Sequence, residues 1–304
     1  MKQRMENPLL YYQLLGLTRN RWKRQPLLYG VVAGSIALTY LLVFQLVSYN
    51  EASFPATLTL CLFLMCLSAP LMAYNLFSLE YEKQTWESLA LTRLTAKEIL
   101  WGKWGAALAR VAGLTVLMLP LLLVNADLDV YISGPLVGEY RTILEPTPKL
   151  YVFLAGVLIL FGWGALIVSL GMWLSFKLRR TLTTASTLYA GQVFALALLP
   201  MLYLTFSQGD TQTEFIGYIH SYWEGFAWWI ASLFTARAII YLNPFWGAYE
   251  LNFVDSYGDS WSTENYSQGL VYLGWGFAQG FFYLALALLF AGLTYRGLKY
   301  AWRK

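Results

Sequence analysis

Charge is scarce in this chain. Only 12% of its 304 residues are Asp, Glu, Lys or Arg, whereas an ordinary soluble domain carries about 25%. Beside a hydrophobic content of 58%, that shortage excludes a water-soluble domain of ordinary composition. Cysteine is nearly absent as well. Cys61 and Cys66 share one apolar run and form no CxxC pair, so a disulfide framework and a thiolate zinc site are both excluded, and the two read as lipid-facing or packing residues. Histidine occurs once, at His220, which leaves no Ser/His/Asp order and no pair of imidazoles for a metal; no catalytic residue and no metal site are assigned. The GxxxxGK[ST] phosphate loop is missing, so an ATP-driven process would need its ATPase on a separate polypeptide. No signal peptide is expected, because the first apolar run is too long for an h-region and no cleavage site follows it. No soluble domain, low-complexity linker or strong internal repeat stands out along the chain.

What is present is a series of apolar runs of bilayer-crossing length, roughly 20 residues each. They fall at Leu27–Ser48, Phe54–Phe77, Gly105–Val124, Lys149–Phe176, Ala185–Phe206 and Ser267–Tyr295. None of the six contains Asp or Glu, although ion-coupled carriers usually place relay groups at such depths. The chain therefore reads as an all-α polytopic membrane protein, a single transmembrane domain over residues 1–304. Its expected parts are an interface segment over 1–26, helices 1–3 over 27–124, an outer loop over 125–149, helices 4–5 over 150–206, an outer loop over 207–266, and helix 6 with a basic tail over 267–304.

Charge asymmetry sets the expected orientation. With both ends in the cytoplasm, the inner segments carry Lys2, Arg4, Arg19, Arg21, Lys23, Arg24, Lys83, Arg93, Lys97, Lys103, Lys177, Arg179, Arg180, Arg296, Lys299, Arg303 and Lys304, while acidic residues dominate the outer loops. This is the positive-inside pattern. A seventh full span over the leftover apolar stretch, 226–245, would move the basic tail outside. That stretch is interrupted by Arg237 and ends on Asn243-Pro244. It is expected to be a re-entrant hairpin entered from the outside, or else a surface-lying amphipathic helix.

Residues 78–104 form a charged island between spans two and three. Thr95-Ala96-Lys97-Glu98 is a capping box, with Leu94 and Ile99 placed for a hydrophobic staple. A helix is expected to start at Ala96 and run into the third span. Upstream, Ser78 to Ala90 reads as a short amphipathic helix with Leu79, Trp86 and Leu89 near one face, and Leu91–Leu94 as a tight turn. The result is a helix-turn-helix knuckle fixed to two spans. A partner gripping Leu91–Leu94 would tilt spans two and three together; the plain alternative is an ordinary, well-capped loop.

The run Glu80-x-Glu82-Lys83-x-Thr85-x-Glu87-x-Leu89, then Thr92-x-Leu94, Glu98-Ile99 and Gly102-Lys103, resembles the signature of the type-2 ATP-binding-cassette permeases, the exporter-like type V group. The family often has Gly where Gln84 stands and Pro where Arg93 stands. The resemblance implies that the island is a coupling helix seated on a separate ATPase subunit. Glu87, Leu89, Leu91, Thr92, Arg93 and Leu94 would then be contacts, and Glu80, Glu82, Thr95 and Glu98 would hold the element's shape. It also implies an N-terminal amphipathic interface helix, for which Asn7-Pro8 supplies a cap and first helical position. Two permease subunits, in a homodimer or heterodimer, would enclose a path lined by spans two and five, which singles out Asn75 and Gln192. ATP and Mg would bind the partner, not this chain.

Remaining features leave alternatives open. Arg110, inside the third span, either snorkels to the inner interface or faces a polar path or partner helix. Arg237 has the same choice, with Glu224 or Glu250 as partner. Gly30-x-x-x-Gly34 and Gly276-x-x-x-Gly280 permit close helix approach, read here as packing within the chain before a dimer seam. Trp101, Trp104, Tyr151, Trp228 and Trp229 read as an interfacial belt. The expected function is the transmembrane subunit of an ATP-driven exporter in the bacterial cytoplasmic membrane; the alternatives are a non-transporting scaffold or assembly factor, or a passive channel.

Overall fold

The structure is a computed structural model, which describes residues 54–86, 94–125, 148–198, 243–249 and 263–301, with Leu41, Met201 and Leu251 as isolated positions. Among these residues every regular element is helical and no strand occurs. In chain order they are α1 (Phe54–Ala73), α2 (Ser78–Glu82), α3 (Ala96–Asn125), α4 (Pro148–Leu178), α5 (Thr181–Val193), a π-helical turn (Phe194–Leu198) and α6 (Thr263–Ala301). Residues 244–249 form a further helical turn and a half.

Four helical stretches are long and apolar enough to cross a membrane: Phe54–Glu82, which includes the turn at residues 74–77, Ala96–Leu123, Leu150–Leu178 and Leu273–Ala301. The chain is a multi-pass membrane protein. Four of the six expected spans are thus recognisable. The fifth is helical through Leu198 and starts at Thr181, four residues ahead of the expected Ala185. The first span apart from Leu41, the 1–26 interface segment, Gly30-x-x-x-Gly34, both outer loops for the most part, and residues 226–242 lie outside the described residues.

The helix α4 is the centre of the bundle. Of its most apolar stretch, 72% is buried, against 33% for that of α6. Small residues on α4 admit one neighbour each. A methyl group at Gly162 would stand 2.8 Å from the Gly280 carbonyl oxygen of α6, and one at Gly171 would stand 2.5 Å from the Ala73 Cβ of α1. Without water to drive apolar burial between helices, such close van der Waals packing is what holds membrane helices together. Gly276 faces Ala155 of α4 and Leu251, so the Gly276-x-x-x-Gly280 pair packs within the chain.

Side-chain neighbours fix the helix directions. Along α4, Phe153 meets Phe54, Gly164 meets Met65 and Phe176 meets Phe77, so α1 runs parallel to α4. Leu158 meets Gly280, Trp163 meets Tyr283, Trp173 meets Phe290 and Phe176 meets Gly297, so α6 is parallel to both. Trp104 bonds Ser169 while Val111 touches Gly164, which makes α3 antiparallel to α4. Leu188 of α5 contacts Gly171, seven residues on from a start beside Glu82; α5 is antiparallel as well. The ends of α1, α4 and α6 and the starts of α3 and α5 therefore meet at one end of the bundle. This end carries Lys83, Lys97, Lys177, Arg179, Arg180, Arg296 and Lys299, all exposed.

Candidate functional site

The charged island at that end begins with local chemistry. Thr95 closes a reciprocal cap at the start of α3: its N–H donates to Glu98 Oε2 at 2.8 Å, and Glu98 N–H donates to Thr95 Oγ1 at 3.3 Å. The expected capping box is formed, and α3 starts at Ala96 as it predicts. Leu94 packs against the core and Ile99 is fully buried, the two positions of the expected staple.

Upstream, the helix expected over Ser78–Ala90 is interrupted at residues 83–85, and Trp86 is again helical. The α2 helix ends at Glu82. Gln84 takes a left-handed conformation, φ 55°. Its N–H donates to the Tyr81 carbonyl at 3.2 Å, and Thr85 N–H reaches back to the Glu80 carbonyl at 2.9 Å. This is the paired bonding of a Schellman cap, which satisfies the orphan carbonyls of a helix end and stops it. Residues 87–93, including Glu87, Leu89, Leu91, Thr92 and Arg93, lie outside the described residues.

Three connections fasten α2 to the bundle. The first is an ion pair. Lys103, on the buried stripe of α3 with Ile99 and Ala107, is 1% exposed. Its ammonium bonds Glu80 Oε1 and the Leu76 carbonyl and lies 4.5 Å from the centre of the Phe77 ring. Charge, carbonyl and ring face together compensate the loss of water around the ammonium. Glu80 Oε2 is buried with no partner among the described residues. The second is Ser175 of α4, whose Oγ accepts from the N–H groups of Phe77 and Ser78 at 2.9 and 2.8 Å. These are amides that the break between α1 and α2 would otherwise leave buried and unpaired. An aromatic cluster closes over the same spot: Trp86 stacks on Tyr81 at 4.7 Å, and Phe176 lies edge-on to Phe77 at 5.8 Å.

The third connection is Glu82. Its Oε1 accepts from Thr181 N–H at 2.7 Å and from Thr181 Oγ1 at 2.9 Å, and its Oε2 lies 2.9 Å from the same hydroxyl. Thr181 is the first residue of α5, and Arg180, at the cap position, makes no side-chain cap of its own. Glu82 supplies that cap from another element. Just before it, Arg179 turns the chain with φ 56°, and its guanidinium sits 4.9 Å from the Tyr81 ring. Of these groups, Ser175 is not singled out by the sequence, and Lys103 reads there as an inner-loop cation and part of the Gly102-Lys103 motif, without its buried pairing to Glu80. The available signal was a lysine on an otherwise apolar helical stripe, which requires an acidic partner.

The expected path residues are not brought together. Asn75 lies half-buried in the turn between α1 and α2 at the charged end. Gln192 is eleven residues into α5, about 16 Å deeper along the helix. It is 6% exposed, and its Nε2 has no partner among the described residues. Arg110 is half-buried on α3, beside the residue that meets Gly164 at mid-bundle. A separate polar row lies just past Gln192. Asn243 Nδ2 donates to the Leu196 carbonyl in the π turn at 3.2 Å. Gln279 Nε2 donates to the Asn243 carbonyl at 2.9 Å and to Tyr283 Oη at 2.8 Å. Trp163 contacts Tyr283 edge-on at 5.3 Å and donates to Cys66 Sγ at 3.1 Å. Both cysteines are buried and unpaired with each other. No family model matches the chain, and no curated protein matches it.

Proposed function

We propose that this chain is the transmembrane subunit of an ATP-driven exporter, and that the island between α1 and α3 is its contact with a separate ATPase. One observation carries the reading: on its described flanks the island is bonded to the membrane helices, by the buried Lys103–Glu80 pair on one side and the capped start of α3 on the other. A flexible loop dissipates a push, whereas an element bonded to α3, α4 and α5 passes it on. In this reading Glu87, Leu89, Leu91, Thr92, Arg93 and Leu94 touch the partner, and Glu80, Glu82, Thr95 and Glu98 hold the shape. ATP and Mg reside on the partner and the permease is not itself an enzyme. Two permease subunits enclose the path, and Gln192 is its polar contact on α5, with Asn75 and Arg110 as further candidates. The basic end faces the cytoplasm of a bacterial cell, so that both termini are cytoplasmic, and a re-entrant hairpin occupies 226–245 on the other side.

Affinity purification of the full chain from its native membrane tests this. A Walker-type ATPase recovered in stoichiometric amount is the expected result, with Thr92→Asp/Arg93→Glu lowering permease-stimulated hydrolysis while membrane insertion is kept. Recovery of the permease without any ATPase overturns the exporter in favour of a scaffold.

A further inference from the structure

We propose that Glu82 is the tie that delivers motion of α2 to α5, so that α5 and not only the spans flanking the island responds when α2 is displaced. The consequence for transport rests on the reading above; the tie itself does not.

Among the helices touching α2, α5 is the one free to move. The central helix α4 is wedged between α1, α3 and α6 by contacts through Gly162, Gly164 and Gly171. By contrast α5 buries a single stripe, Thr184, Leu188 and Gln192, and leaves Leu182, Val193 and Phe194 exposed. Few buried contacts mean a low cost of displacement. Both ends of α5 are nevertheless held by polar bonds from other elements. At the charged end the Glu82 carboxylate holds the N–H and hydroxyl of Thr181. At the other end the Asn243 amide holds the Leu196 carbonyl of the π turn. Between them, Tyr189 Oη donates to the Leu67 carbonyl of α1 at 2.8 Å.

The charge on Glu82 adds to the tie. A carboxylate at a helix N-terminus is favoured by the aligned peptide dipoles and by the orphan N–H groups. Arg179, two residues ahead of α5, is held against Tyr81 of α2, so the junction between α4 and α5 is gripped on two sides by one short element. A shift of α2 by an ångström or two must either break these bonds or carry the start of α5 with it. Because Gln192 lies on the buried stripe of α5, the same shift moves its Nε2, which has no partner among the described residues.

Hydrogen exchange of the full chain in lipid nanodiscs tests the tie. E82A is expected to speed exchange of the amides of residues 181–186 by roughly three- to thirty-fold, the range of losing one cap. E82Q keeps an acceptor oxygen, loses the charge and gives a smaller rise. E98A removes a cap on α3 and leaves residues 181–186 at the wild-type rate. Unchanged protection in E82A, or an equal rise in E98A, overturns the proposal. In the complex with the partner ATPase, E82A is expected to keep the ATPase bound and lose its stimulation by the permease; retained stimulation overturns delivery through α5. Absence of any bound ATPase counts against the exporter, while the exchange result still decides the tie.

Discussion

Gln84 is where residue type and backbone are most at odds. Its φ of 55° lies in the region that costs an L-residue about 1–2 kcal/mol, and at the end of a Schellman cap glycine is the usual occupant. The type-2 permease pattern that the sequence resembles often has glycine at this position, so the departure coincides with the one left-handed residue among the described residues of the island. Nothing local in Lys83-Gln84-Thr85 announces a helix stop, since lysine and glutamine are good helix formers. The stop is imposed by neighbours: Trp86 stacks back onto Tyr81, and the chain must turn for it to do so. Gln84→Gly is therefore expected to stabilise the protein by about 0.5–1 kcal/mol, the relief of strain less the extra freedom glycine gives the unfolded chain. Gln84→Val is expected to destabilise it by about 1 kcal/mol or more, because a β-branched residue fits the left-handed region worst. The buried thiols of Cys61 and Cys66 report unfolding directly, through a thiol-reactive dye in a thermal ramp. A lower midpoint for Gln84→Gly than for the wild type would contradict the assignment.

Elements were legible where their signals are local. The α3 start follows from four consecutive residues, Thr95 to Glu98, and the observed helix begins where the capping box places it. The apolar runs give α1 and α4 to within a few residues and locate the cores of the longer α3 and α6, because helix length and hydropathy are properties of the segment alone. The start of α5 was not legible, since its cap is Glu82, 99 residues away, and no window of sequence joins the two. Packing was only half legible. Small residues advertise close approach without naming a partner, and Gly276-x-x-x-Gly280 had two readings until α4 was seen against it. The structure now separates glycines that are needed from those that are not. Gly162→Ala puts a methyl 2.8 Å from a backbone oxygen, which cannot swing aside, and is expected to cost about 1–3 kcal/mol by overpacking. Gly292→Ala on α6 meets nothing within 4 Å and is expected to be neutral or to gain up to about 1 kcal/mol in helix propensity. Equal unfolding midpoints for the two variants, measured by the same thiol reporter, would mean that α4 and α6 do not cross at Gly162.

At the scale of the molecule, helix direction bears on a question that hydropathy leaves open. The stretch over 226–245 is apolar enough to suggest a seventh crossing, and charge counting alone argued against it. Direction is an independent argument. With α5 antiparallel to α4, and α6 parallel to it, α5 leads away from the charged end and α6 leads back towards it. The last described residues of α5 and the first of α6 therefore both lie away from the charged end. Asn243 fits this, since it meets the bundle between Leu196 of the π turn and Gln279 of α6 and not at the charged end. Single-cysteine labelling in sealed vesicles with a membrane-impermeant maleimide checks the arrangement, with little background because Cys61 and Cys66 are buried. Met201→Cys and Thr263→Cys are expected to react from one side, and Lys177→Cys and Lys299→Cys from the other. If Met201→Cys and Thr263→Cys reacted from opposite sides, the connection would cross the membrane an odd number of times. The α6 helix could not then run parallel to α4, the basic tail would part from the basic turn between α4 and α5, and a partner approaching from one side would meet only half of the charged end.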